Sequence, residues 1–140
     1  MSACCSTPAR VLLIETTAIR VDGETGGRCT HTVEAARIAA SELEADLAPL
    51  NVTVTLVEHD AVSDNRSDSN SVMINGRSVE EWIGAERVLT ACAACSDLLG
   101  EPVFCGAISI EGSVDDSFSV EQIREAAFTA LNEGNGCSCS

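Results

Sequence analysis

Eight cysteines stand at positions 4, 5, 29, 92, 95, 105, 137 and 139 of a 140-residue chain, and their spacing suggests chemistry. Cys92-Ala93-Ala94-Cys95 is the sharpest pattern: two thiolates separated by two residues let one turn present both sulfurs to a single ion. With Cys29 as a third ligand the set would be a trithiolate, suited to soft ions such as Zn(II), Hg(II), Cd(II), Cu(I) or arsenite. Cys105 or His31 would complete a tetrahedral zinc site. Only one Cys-x-x-Cys is present, and a structural disulfide or zinc knot among Cys92, Cys95 and Cys105 is the plainer alternative. The same residues also suit thiol–disulfide exchange, with Cys29 as nucleophile and Cys92 or Cys95 resolving the mixed disulfide. His31, two residues beyond Cys29, is placed to orient or protonate its thiolate, or is simply solvated. Cys4-Cys5 and Cys137-Ser138-Cys139 lie in polar tails with no core to join. They can bind thiophilic ions and pass them inward by ligand exchange, or be chance residues of frayed ends.

The elements that must position these thiols are legible around Cys29. Val11-Leu12-Leu13-Ile14-Glu15-Thr16-Thr17-Ala18-Ile19 is apolar and β-branched, and it ends at the Gly-rich loop Asp22 to Arg28, so it reads as a strand. After Cys29, the residues Val33, Ala36, Ala40, Leu43 and Leu47 recur three or four apart on one face of a helix that Pro49 stops. A cysteine at a helix N-terminus meets unpaired N–H groups and the positive end of the helix dipole, which stabilise a thiolate. Burial as a small hydrophobe is the bland reading of the same residue. Asn51 to Val57 is expected to be a second strand, parallel to the first, with a polar exit at Glu58-His59-Asp60; His59 reads as surface.

Farther along, Ser63 to Asn70 reads as a polar connector. Val72-Met73-Ile74-Asn75-Gly76-Arg77-Ser78-Val79 carries the Asn-Gly signature of a two-residue type I′ hairpin. Trp82, the only tryptophan, is expected to pack that hairpin against a helix. Val88 to Cys105 is expected to be irregular or short helix, with a short strand at Ala107 to Ile110. Ser119 and Gln122 form a capping box ahead of a final helix whose buried face is Val120, Ile123, Ala127 and Leu131. Asp115-Asp116 reads as solvated surface.

Composition narrows the partners. The chain is 45% hydrophobic with three Phe, one Trp and no Tyr, so its core must be aliphatic and rich in alanine. The formal net charge is −14, and all eight basic residues are arginine. Nucleic acid and anionic membrane surfaces, which need a cationic face, are excluded as partners on this ground. An acidic, lysine-free surface is what solubility in high salt selects, although a GC-rich genome also depletes lysine. Met1 to Pro8 lacks the positive segment of a secretory signal, and no stretch is long and apolar enough to span a bilayer. A cytoplasmic protein with reduced thiols is therefore expected.

The order β-α-β, then a β-hairpin, then a closing helix resembles the thioredoxin fold. Cys29 stands at the start of the first helix, where thioredoxins and glutaredoxins carry their active thiols, and Ser71 to Arg77 resembles the glutaredoxin-type hairpin. Asp22-Gly23-Glu24-Thr25, Ser69 to Arg77 and Cys92 to Gly100 are similar to an uncharacterised prokaryotic thioredoxin-like family. The resemblance covers residues 10 to 132. It implies that the segment after the hairpin passes beside the active loop, bringing Cys92 and Cys95 toward Cys29. Two departures from it are visible. Of the family's paired cysteines one remains, Thr32 standing for the second if Cys29 is the first, or Gly26 for the first if Cys29 is the second. Asn70 or Ser71 stands where a cis-proline usually precedes the third strand.

The expectation is thus an α/β chain, a thioredoxin-like βαβ unit followed by a β-hairpin and a C-terminal helix. Residues 1–9 are expected to form a cysteine-bearing tail, 10–133 the domain and 134–140 a Cys-x-Cys tail. Its expected function is binding or carrying a soft metal or metalloid ion, with atypical thiol–disulfide oxidoreductase activity toward a redox partner protein as the alternative. A structural or interaction role with stabilising cysteines is the third reading. No organic cofactor is expected, and the oligomeric state is left open.

Overall fold

The computed structural model describes residues 10–21, 24–25, 27–61, 69–91, 100 and 104–133, with the backbone only at 20–21, 24–25, 27–29 (which include Cys29), 61, 105 (Cys105) and 133. The β-branched run seen in the sequence becomes β1 (Arg10–Val21), which lies at the centre of the main sheet. It pairs in parallel with β3 (Val52–Ala61), from Arg10 opposite Val52 to Ile19 opposite Ala61. On its other side it pairs antiparallel with β4 (Ser71–Ile74), which turns into β5 (Arg77–Ser78). Its far end folds back as a short hairpin with β2 (Glu24–Thr25). The sheet therefore runs β5-β4-β1-β3, with β2 paired to the end of β1.

Alternation decides which face of this sheet is covered. Leu12, Ile14, Thr16 and Ala18 of β1 are buried, whereas Val11 on the opposite face is 61% exposed. On the buried face lies α1 (Gly27–Leu47), which contributes Val33, Ala36, Leu43 and Leu47 as the periodicity predicts, and Ala35 and Ala39 as well. Small alanines let the helix sit close to the sheet, which suits a chain poor in aromatic residues. A 3₁₀ turn at Ala48–Leu50 contains Pro49 and ends at Asn51 in the left-handed region, stopping α1 where the sequence indicates. The last helix, α3 (Val120–Glu133), buries Ile123, Ala126, Ala127, Ala130 and Leu131 in the same core. Its capping box is made in both directions: Ser119 N–H donates to Gln122 Oε1 at 2.9 Å, and Gln122 N–H donates to Ser119 Oγ at 3.1 Å.

The Asn75-Gly76 turn also forms, with φ of 51° and 83°, the double positive φ that a type I′ turn requires. Its second arm is shorter than expected. Ser78 Oγ accepts from Glu81 N–H at 3.3 Å and starts α2 (Val79–Ile83) after only two strand residues. Trp82 lies on α2 and donates from Nε1 to the Ile74 carbonyl at 2.8 Å, with Arg77 stacked 4.3 Å from the ring centroid. The tryptophan thus ties the hairpin to α2 through a hydrogen bond and a cation–π contact.

Three expectations are corrected. The second strand does not end at Val57 but continues through Glu58, His59 and Asp60 to Ala61. These polar residues are held from neighbouring elements: Arg37 of α1 grips Glu58 with two hydrogen bonds of 2.7 Å, and His59 Nε2 meets Glu15 Oε2 at 2.9 Å. The stretch beginning at Val88 is not irregular or helical where it is described. Glu86–Ala91 forms β6, paired antiparallel with β7 (Phe104–Ile110), and β8 (Ser113–Asp115) completes a second, three-stranded sheet. Thirdly, the stretch read as a polar connector ends inside the core, Ser69 and Asn70 both being fully buried.

Candidate functional site

Asn70 is the centre of a buried polar cluster that joins four stretches of chain. It immediately precedes β4 with φ of 56°, a left-handed conformation that asparagine tolerates better than most residues. Its Oδ1 accepts from the Thr32 hydroxyl at 2.5 Å, and its Nδ2 donates to the carbonyls of Gly106 and Asp116, each at 2.6 Å. The Thr32 hydroxyl in turn accepts from Phe118 N–H at 3.2 Å. Gly106 N–H returns a bond to the Ser69 carbonyl at 3.2 Å. Buried polar groups are costly unless paired, and this cluster pairs the whole Asn70 carboxamide.

Arg87 on β6 closes the cluster from outside. Its Nη2 donates to the Ser69 carbonyl at 2.9 Å and its Nη1 lies 3.4 Å from the Asn70 carbonyl. The guanidinium passes over Gly106, where an added Cβ would stand 2.2 Å from Nη1. Glycine at position 106 is what lets the arginine through. Beyond it is Glu80 of α2, only 2% exposed, whose two carboxylate oxygens have no hydrogen-bond partner. Arg87 Nη1 stands 3.6 Å from Glu80 Oε2, an ion pair longer than a hydrogen bond. Burial pushes the Glu80 carboxyl above the usual carboxylate range; its own backbone amide and the Arg87 charge pull the other way without cancelling it.

Two cysteine-bearing segments meet this cluster, α1 through the Thr32 hydroxyl and β7 through the backbone of Gly106. Cys29 lies in the first turn of α1, three residues before Thr32, and that turn holds no acidic residue. Cys105 lies in β7, next to Gly106 and in register with Thr90. Cys92 and Cys95 lie outside the described residues. Ala91, to which Cys92 is bonded, pairs with Phe104, to which Cys105 is bonded. The tail cysteines Cys4, Cys5, Cys137 and Cys139 also lie outside the described residues. Of the two histidines, His31 is exposed on α1 and His59 pairs with Glu15 on the sheet. Among the described residues no group of three or more His, Cys, Asp and Glu side chains is gathered as for a metal ion. No helix among them is long and apolar enough to cross a membrane.

Sequence reasoning passed over Arg87, Gly106 and Glu80. The available signals were an arginine inside a β-branched run and a glycine inside an apolar one, which marks close approach of another group.

Residues 12–127 match the family described as Domain of unknown function (DUF2703). The chain belongs to this family. The DUF2703 span takes in Cys29, Cys92, Cys95 and Cys105 together with every residue of the Asn70 cluster, and it leaves out both cysteine tails. A protein of Archaeoglobus fulgidus described as uncharacterized is 38% identical over an 84-position alignment that covers 56% of this chain and 61% of that protein. The chain thus spans less than two thirds of that relative's length. No solved structure matches it.

Proposed function

We propose that this DUF2703 protein is a thioredoxin-like thiol protein of the cytoplasm that binds or carries a soft metal or metalloid ion through clustered cysteines. One observation carries the reading: Thr32, Asn70 and Gly106 are hydrogen-bonded in series, and Cys29 and Cys105 lie in the two segments so joined. The pairing of Ala91 with Phe104 brings the chain leading into Cys92-Ala93-Ala94-Cys95 to the same strand pair. Cys29, Cys92 and Cys95 are the proposed ligands of Zn(II), Cu(I), Hg(II), Cd(II) or arsenite, with Cys105 and the tail pairs assisting. The thioredoxin-like assignment draws support from the strand order β5-β4-β1-β3, with β1 parallel to β3 and antiparallel to β4. The sheet β6-β7-β8 is an addition to that plan.

Native mass spectrometry of freshly reduced protein with Zn(II) or arsenite tests this reading. One ion per chain is expected, lost in Cys29→Ser and in the double variant Cys92→Ser with Cys95→Ser. Retention of the ion by both variants would sink the proposal.

The position of Cys29 in the first turn of α1, with no carboxylate beside it in that turn, favours a second reading. The helix dipole stabilises a thiolate there, as a nucleophile in thiol–disulfide exchange requires. Cys92 or Cys95 would resolve the mixed disulfide, and a redox partner protein would reduce the product. A two-unit mass loss on oxidation, reversed by a dithiol and with no ion retained, would favour this reading over the first.

A further inference from the structure

We infer that the Glu80 carboxylate and the Asn70 carbonyl compete for one nitrogen of Arg87, so that a proton on Glu80 sets how firmly the turn at Ser69–Asn70 is held against Thr32 of α1. Arg87 Nη1 donates a long hydrogen bond of 3.4 Å to the Asn70 carbonyl and stands 3.6 Å from Glu80 Oε2, so it is shared between the two and seated tightly on neither. Ionised Glu80 attracts Nη1 through its charge; neutral Glu80 has far less hold and leaves the nitrogen to Asn70. Nη2 stays on the Ser69 carbonyl in either case, so the guanidinium pivots while remaining attached.

The surroundings leave Glu80 few other partners. On its own helix Glu81 faces solvent and pairs with Arg77 of β5. β4 carries no charged residue. On α3, Glu121 and Glu125 are exposed and Arg124 is engaged with Glu42 and Asp46 of α1. The charges that act on the Glu80 carboxyl are Arg87, which favours its ionisation, and Glu81, which opposes it. Among the described residues Arg87 is the cation that acts on its oxygens, so the arginine contact responds to the proton. The effect on thiols rests on the reading proposed above: Thr32 is bound to Asn70 and lies one helical turn from Cys29, so a firmer turn at 69–70 restrains the Cys29 segment.

The test uses the full, reduced chain with ¹³C-labelled glutamate and ¹⁵N-labelled asparagine. One carboxyl resonance, assigned to Glu80 by its loss in Glu80→Gln, should titrate above the ordinary range. The Asn70 side-chain amide should move with the same midpoint, and in Glu80→Gln it should stay fixed across that interval. Alkylation of Cys29 by iodoacetamide, followed by peptide mass spectrometry, should be several-fold slower in Glu80→Gln than in the parent above the midpoint and equal below it. Arg87→Lys, which has one nitrogen for three acceptors, should remove the pH response of the Asn70 amide.

An Asn70 amide that ignores the Glu80 titration, or a Glu80 that titrates in the ordinary range, overturns the competition. If Asn70 follows Glu80 but Cys29 reacts no faster than in urea-unfolded protein, the competition stands and the thiol reading falls.

Discussion

The Thr32 hydroxyl and the Asn70 carboxamide, 38 residues apart in sequence, meet in a fully buried hydrogen bond of 2.5 Å. That bond joins α1 to the turn that starts β4, and Asn70 carries it onward to β7 and to the loop before α3. The contact is built almost wholly from polar atoms inside an aliphatic protein. Its strength therefore depends on every member having its partner.

Asn70→Ala should destabilise the protein by about 2–4 kcal/mol, because it strands the buried Gly106 carbonyl and takes the acceptor from the Thr32 hydroxyl. Thr32→Val keeps the volume and removes the hydroxyl, leaving Asn70 Oδ1 and Phe118 N–H without it, and should cost about 1–3 kcal/mol. The two losses should be less than additive, since they break one shared bond. Urea unfolding followed by Trp82 fluorescence measures all three values.

Gly106→Ala introduces one methyl group where Arg87 passes. The arginine must leave Ser69, Asn70 or Glu80 to make room, and a loss of about 1–3 kcal/mol is expected. Loss of the Arg87 contacts should be visible as faster exchange of the arginine side-chain N–H groups. A Gly106→Ala protein with native stability and unchanged Arg87 resonances would contradict this packing.

Glu80 should make the protein less stable as pH rises. Its folded-state pKa is raised above the unfolded value by burial, so the folded chain binds the proton more tightly than the unfolded one. The stabilisation is complete below the unfolded pKa, near 4.5, and is lost as pH climbs through the raised folded value. Glu80→Gln should accordingly be more stable than the parent at neutral pH and lose that advantage in acid. Urea midpoints of the two proteins, compared from acid to neutral pH, decide the matter.

Ser119→Ala removes the acceptor for Gln122 N–H at the start of α3 and should cost about 1 kcal/mol. Gln122→Ala, which takes away the reciprocal half of the box, should cost less, because Ser119 N–H is only part-buried. Thermal denaturation by circular dichroism resolves the order.

Local signals carried most of the main sheet. The β-branched run of β1, the alanine-rich face of α1, Asn75-Gly76 and the Ser119–Gln122 box are each decided by neighbours in sequence, and each appears where its pattern lies. Of the second sheet only the end of β7, Ala107 to Ile110, was legible, because β6 carries Arg87, whose reason for being in a strand is a carbonyl some way back in the chain, and β7 carries Cys105 and Gly106. Asn70 was equally opaque. An asparagine after a run of serines and aspartates looks solvated, and only the arrival of Thr32, Gly106 and Asp116 makes it a core residue. The Cys29 position was legible from helix periodicity; its relation to Cys105 was not, since it passes through Asn70.

The sequence separations within the Asn70 cluster have a kinetic consequence. Its bonds span 38, 36 and 46 residues from Asn70, and 86 from Phe118 to Thr32. Each requires a long loop to be closed before any energy is returned, so the cluster belongs to the last steps of folding. Asn70→Ala should then leave the refolding rate nearly unchanged and put its effect into faster unfolding. The residue that binds four stretches of chain together in the native state would thus set how long the molecule stays folded and have little say in how quickly it gets there.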